Sequence, residues 1–278
     1  MNGHTSALAT PMECPAGRMR DASAEPGTIR WTSAARSHTG LVREINEDAC
    51  LGQPECGVWA VADGMGGHAL GEFASRLAIR SLIDLPAAQS LEQCIDHAQE
   101  RLQSANRRLR SEAALRDVPI IGTTIVALLA SGRHCACLWA GDSRIYLFRA
   151  GRLKRLTRDH SQIEAALSQR HADSDDTLIR PQANLITRAL GAEDTVEIDC
   201  TTVEVVDGDV FLLCSDGLSS EVSELAIEQA LLPGNCRQAS QALIDLALQR
   251  GGHDNITAVV VRAEDLHSPD RTAMLPVL

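Results

Sequence analysis

A layered α+β domain is the fold class this sequence predicts, on three observations. Apolar residues fall into short β-branched or alternating runs and into longer runs at helical spacing. The short runs gather in the middle and towards the end of the chain, with helices between hairpin-like groups and no strict βαβ alternation. No internal repeat is visible, and 278 residues suffice for one core of about 230 to 250 residues with unstructured ends.

In chain order, residues 1–28 mix Gly, Pro, Ser, Ala and charges with no apolar period and read as a disordered leader. Strands are expected at 57–62, 123–129, 134–140, 144–148, 195–206, 210–214 and 256–262, most of them bounded by Gly or Asp-Gly turn signals. A first helix is expected over 73–85. Leu91, Ile95, Ala98, Leu102, Ala105 and Leu109 then form the apolar stripe of one long helix that Ser90 can cap. Further helices are expected over 220–232 and 238–250, the last ended by Gly251-Gly252. Residues 266–278 resemble the leader and read as a flexible tail, which leaves 29–265 as the ordered domain.

Composition narrows the function. Lys plus Arg number 26 against 37 Asp plus Glu, a net charge of −11 that disfavours a large nucleic-acid interface. The nine cysteines, scattered from Cys14 to Cys236 without a repeated C-x-x-C, indicate neither a disulfide framework nor a zinc site. Cys135 and Cys137, spaced i, i+2 in an apolar run, read as core residues on one strand face. No apolar stretch reaches the roughly 18 residues of a membrane span, and no signal core is present. A reducing, cytoplasmic setting is expected, with no membrane contact.

The acids are placed in a pattern. Three apolar runs end in an aspartate: Val58 to Asp63-Gly64, Cys137 to Gly141-Asp142, and Phe211 to Asp216-Gly217. Asp254 stands just before the run 256–262, and Glu47 and Asp48 add two more carboxylates. Strand ends are rigid, so acids there can be aimed into one cleft. Each Asp-Gly alone has a turn explanation, and Asp207-Gly208 is read as just that. Several carboxylates brought together would repel one another and raise each other's pKa, a conflict that a divalent cation resolves. An all-oxygen set without His or Cys points to Mg²⁺ or Mn²⁺. Neither a P-loop nor an EF-hand string occurs.

The strings Gly40-Leu-Val-Arg-Glu-Ile-Asn-Glu-Asp48, Val61-Ala-Asp-Gly-Met-Gly-Gly-His68, Gly122-Thr-Thr124, Ala140-Gly-Asp-Ser-Arg-Ile-Tyr146, Leu156-Thr-Arg-Asp-His-Ser161, Ile186-Thr-Arg-Ala-Leu-Gly191, Leu213-Cys-Ser-Asp-Gly-Leu218 and Gly252-His-Asp-Asn-Ile-Thr257 follow in order. In this order they resemble the metal-dependent protein phosphatases of type 2C, in particular the bacterial serine/threonine branch. The resemblance implies a four-layer α-β-β-α sandwich, two packed antiparallel sheets flanked by helices. It implies that Asp63 bridges two cations, Mn²⁺ or Mg²⁺, with Asp216 and Asp254 completing one site and Glu47 and the Gly64 carbonyl serving the other. Asp142, with Asp216, resembles the ligand pair of a weaker third cation. Arg43 is placed like the phosphate-binding arginine, and Asp48 like the acid that orients metal-bound water. A metal-bridging hydroxide would then attack phosphoserine or phosphothreonine in line. The implied partners are phosphoproteins and a bacterial serine/threonine kinase whose action is reversed, with the phosphatase a monomer.

The chain departs from the family pattern in places. Met65 stands where many eukaryotic members carry a histidine that protonates the leaving alcohol, and Met65 cannot do so. The general acid stays open between His68 and a solvent proton, with a bystander His68 as the blander reading. His38 replaces an acid often found before Gly40, without touching a metal ligand. Residues 162–184 stand where the family has a mobile flap. Two other function classes fit the sequence less well. A catalytically dead relative should have lost metal acids, yet Asp63, Asp142, Asp216 and Asp254 are all present. A Mg²⁺-dependent phosphodiesterase or nuclease fits poorly with the acidic balance and the lack of a basic stripe.

Overall fold

Strands that read as near-continuous apolar runs must be covered on both faces, and the arrangement of the sheets shows how. The computed structural model describes residues 29–67, 69–86, 88–162, 164 and 185–267. One sheet runs in the order β1 (Ile29–His38), β11 (Ile256–Asp265), β10 (Val210–Cys214), β7 (Arg144–Arg149), β8 (Arg152–Arg155). The other runs β2 (Asp48–Gln53), β3 (Val58–Met65), β5 (Ile125–Ser131), β6 (His134–Ala140), β9 (Asp199–Glu204), with β4 (Gly122–Thr123) against the end of β3. The strand pairings are antiparallel.

Side-chain alternation divides the core into three layers. Between the sheets lie Trp59 and Val61, Val126 and Leu128, Cys135 and Cys137, Ile145 and Leu147, and Phe211 and Leu213. Residues one step along the same strands face outward. Ala60, Ala127 and Leu138 meet Ala74 and Ala78 of α1 (Ala69–Ser81) and Leu102 and Leu109 of α2 (Leu91–Leu115). On the opposite side Tyr146, Leu212 and Val260 meet Leu218 of α3 (Asp216–Ser219), Ile227 of α4 (Glu224–Leu231) and Leu243 of α5 (Cys236–Gln249). The result is the expected sandwich of two antiparallel sheets with helices on both outer faces. Each fully buried Leu or Val contributes roughly 1.5 to 3 kcal/mol.

Three strands were not expected, β1, β2 and β8, and each is an edge of its sheet. Edge strands need apolar cover on one side at most, so their sequences, such as Arg-Leu-Lys-Arg in β8, lack the run that marks a central strand. The fourth edge, β9, is shorter than the expected 195–206 for the same reason. Helix α1 starts four residues before 73 and ends four before 85. Ser90 caps α2 by accepting from the Gln93 N–H. The helix expected over 220–232 is α4, which starts at Glu224 because the Ser223 hydroxyl accepts from the Ala226 N–H, while the short α3 before it was not expected. Cys135 and Cys137 are buried in the inner layer, and the eight described cysteines are free. The leader (1–28), His68 and nearly all of the flap and tail segments lie outside the described residues.

Candidate metal centre

Antiparallel pairing carries the acid-bearing strand ends to one end of the sandwich. Asp48, first in β2, pairs with Asp63 near the end of β3. The ends of β6 and β10 and the start of β11 fall at the same end, through the pairs Ile125–Ala140 and Cys214–Ala258. Asp216 opens α3, one residue past Ser215.

Short polar side chains hold these turns. The Asp63 carbonyl accepts from the Thr124 N–H at 2.9 Å and from the Thr123 hydroxyl at 2.8 Å, while the Asp63 N–H donates to Thr124 Oγ1 at 3.1 Å. Thr124 Oγ1 also meets Ser143 Oγ at 2.8 Å, tying the Asp63 turn to the Asp142 turn. Asn255, which no sequence motif singles out, organises the segment before β2. It accepts from the Glu47 N–H at 2.7 Å and donates to the carbonyls of Thr39 at 2.8 Å and Ile45 at 3.0 Å. Its place between Asp254 and an apolar run was the available signal.

Asp48 joins the two sheets. Its Oδ2 accepts from Ser215 Oγ and Thr257 Oγ1, both at 2.7 Å, while its Oδ1 is buried with no hydrogen-bond partner. Asp142 Oδ1 is likewise buried and unpartnered. Burial pushes the Asp48 carboxyl up to about 7, against the two hydroxyls that favour its charged form. Asp142 is pushed up to about 7 by burial and then by Asp216. Asp63 is held well above the ordinary carboxylate range by burial, then by the charges of Asp48, Asp216 and Asp142. Interaction with the neighbouring Asp216 carboxyl raises Asp63 further. Asp216 is raised by burial and then by Asp254.

Glu47 lies against glycine. A Cβ on Gly71 would sit 2.2 Å from Glu47 Oε1, and one on Gly64 would sit 2.1 Å from the Gly71 carbonyl. Only bare backbone lets the Glu47 carboxylate, the Gly64 peptide and the start of α1 meet. Arg43 reaches the same end and donates to Asp254 Oδ2 at 2.8 Å, and this bond with the nearby charges of Asp254, Glu47 and Asp63 raises its pKa further.

The eight residues expected from sequence are thus brought to one end of the fold. Among the described residues no three His, Cys, Asp or Glu side chains are set around a common point as a closed cage. Their mutual charge opposes such closure, and Arg43 already takes one Asp254 oxygen. The donor chemistry nonetheless fits hard divalent cations: all-oxygen, with two buried oxygens lacking a partner and carboxyls raised by one another. Met65 lies at the end of β3 over Gly122, a thioether without a proton to give.

The model of the family described as protein phosphatase 2C matches residues 36–245. The chain is 37% identical over 239 residues to the serine/threonine protein phosphatase PstP of Mycobacterium tuberculosis, covering 86% of this chain but 46% of that protein, so it spans about half the length of this relative. It is 34% identical to the serine/threonine phosphatase stp of Listeria monocytogenes, covering 86% of this chain and 98% of the relative. Among solved structures, PppA, a key regulatory component of T6SS in Pseudomonas aeruginosa, is 42% identical with a TM-score of 0.78, covering 85% and 100% of the two chains. The PstP catalytic domain in complex with two manganese ions is 37% identical with a TM-score of 0.76, covering 86% and 100%. A match over residues 36–245, together with relatives at this identity, places the chain in the protein phosphatase 2C family.

Proposed function

We propose that this protein is a metal-dependent serine/threonine protein phosphatase, with 29–265 as its catalytic domain and the acidic end of the sandwich as its active site. One observation carries the reading: carboxylates from separate strand ends are buried close enough to raise one another's pKa, a mutual repulsion that bound divalent cations would relieve. Asp63, Asp216 and Asp254, with Glu47 and the Gly64 carbonyl, would hold two Mn²⁺ or Mg²⁺ ions, and Asp142 with Asp216 a weaker third. When bound, the ions supply Lewis acidity to the phosphoryl oxygens and an activated water as nucleophile.

The chain's own residues do the rest. Asp48, fixed by Ser215 and Thr257 through one oxygen, keeps its second oxygen without a partner, placed to orient a water at the site. Arg43 leaves Asp254 and grips two oxygens of the phosphoryl group through its planar fork. Rigid strand ends and the Thr123–Thr124–Ser143 bonds keep the acids in place through turnover. Met65 leaves proton delivery to the departing alcohol to solvent or to His68.

Substrates would be phosphoserine and phosphothreonine proteins, including those marked by a bacterial serine/threonine kinase, a reading supported by relatives named as such phosphatases. A reducing, cytoplasmic setting fits the eight free cysteines among the described residues, and the protein would act as a monomer. No described helix is long and apolar enough to cross a membrane. The test is hydrolysis of p-nitrophenyl phosphate and of a phosphothreonine peptide with and without Mn²⁺. Activity that requires Mn²⁺ and disappears with EDTA supports the proposal, and activity that survives chelation overturns it.

A further inference from the structure

On the helical face that covers the six-stranded sheet, α1 and α2 enclose a groove of about 460 Å³ whose charge opposes that of the chain. Its floor is apolar, made by half-buried Phe73 and Leu77 from α1 and buried Ala105 from α2. Its rim is basic, with Arg76 and Arg80 one turn apart on α1 and Arg101 and Arg108 two turns apart on α2. Glu72 is the one acid among the lining residues, and Arg76 holds it at 2.6 Å. The guanidinium groups of Arg80, Arg101 and Arg108 make no ion pair or hydrogen bond among the described residues. Elsewhere Arg144, Arg149 and Arg188 each grip an aspartate of the chain. A chain with a net charge of −11 has acids to spare, so three idle guanidinium groups around one apolar slot are left for a ligand from outside.

We infer that this groove is a docking site for an acidic segment of a protein partner, anchored by apolar side chains on Phe73 and Leu77 and held by carboxylates in the arginine forks. The forks match carboxylate geometry, and charge complementarity between rim and partner speeds encounter and fixes register. Arg116, paired with Glu112 and stacked 5.5 Å over the Phe73 ring, closes one end of the floor. A nucleic acid would want a longer basic track, and an inorganic anion would leave the apolar floor uncovered. The inference does not depend on the metal centre, because docking is read as binding and needs no turnover.

Fluorescence anisotropy of a short labelled peptide of Glu and Leu against the full chain tests it, with the Gln-for-Glu peptide as control. The acidic peptide should bind saturably and more weakly as salt rises. Binding should fall about tenfold or more in the Arg80→Glu, Arg101→Glu, Arg108→Glu protein, which should instead take up the Lys-and-Leu peptide. The milder triple change to Gln should lose the acidic peptide without gaining the basic one. Equal binding of the Gln peptide, or acidic-peptide binding untouched in both variants, would overturn the inference. So would oligothymidylate or inorganic phosphate displacing the peptide at lower concentration than an unlabelled copy.

Discussion

Strand β10 has an aspartate beyond each of its ends, and the two are treated in opposite ways. Before it, Asp209 is fully buried, and its carboxylate takes two bonds from Arg149 at 2.7 Å and one from the Val206 N–H at 2.9 Å. Asp207 nearby accepts from the Asp265 N–H, and Gly208 takes a φ of +83°, as a turn requires. Beyond the other end, Asp216 faces Asp63 and Asp254, its pKa is raised, and the arginine in reach is engaged with Asp254. A buried acid alone says little about function. What separates the two ends is the bookkeeping of charge: one closes within the chain, and the other closes only with added cations.

The contrast breaks first at Asp63. Asp63→Asn or Asp216→Asn should lower Mn²⁺-dependent kcat/KM on p-nitrophenyl phosphate by about a thousandfold or more, while raising the Tm of the metal-free protein by relieving like charge. Asp209→Asn should do the reverse. It should cost about 3 kcal/mol, near 8 °C in Tm by calorimetry, with turnover per folded molecule unchanged. A smaller effect concerns pH. Asp48 and Asp142 are raised to about 7 in the folded, metal-free chain, above the unfolded value near 3.8. Between those values the folded state binds more protons than the unfolded one, so stability falls as pH rises through the window. Thermal scans in EDTA should show Tm about 5 °C lower at the top of the window than at the bottom, and saturating Mn²⁺ should flatten the slope. The smallest effect is expected for Gly71→Ala, whose methyl displaces the Glu47 carboxylate: Mn²⁺ affinity by titration calorimetry should weaken about tenfold.

Legibility in the sequence followed burial and locality. Central strands such as β5, β6 and β10 announced themselves through long apolar runs, and Asp63, Asp142 and Asp216 stood out because each closes one. Edge strands β1, β2 and β8 carried no such run and stayed hidden. Asp207-Gly208 was legible as a turn, but Asp209 beside it was not legible as a buried ion-pair member, since Arg149 lies 60 residues away. The three bonds of Asn255 span 208 to 216 residues, a distance over which no local pattern speaks. The arginine groove escaped for a similar reason: its cations sit on two helices and only packing gathers them.

Anomalous diffraction at the manganese edge, on crystals equilibrated with Mn²⁺, reaches the central claim most directly. Two strong peaks that share Asp63, one beside Asp216 and Asp254 and the other beside Glu47 and the Gly64 carbonyl, are the predicted result. A saturated crystal with no peak among those oxygens, and with Arg43 still seated on Asp254, would contradict it.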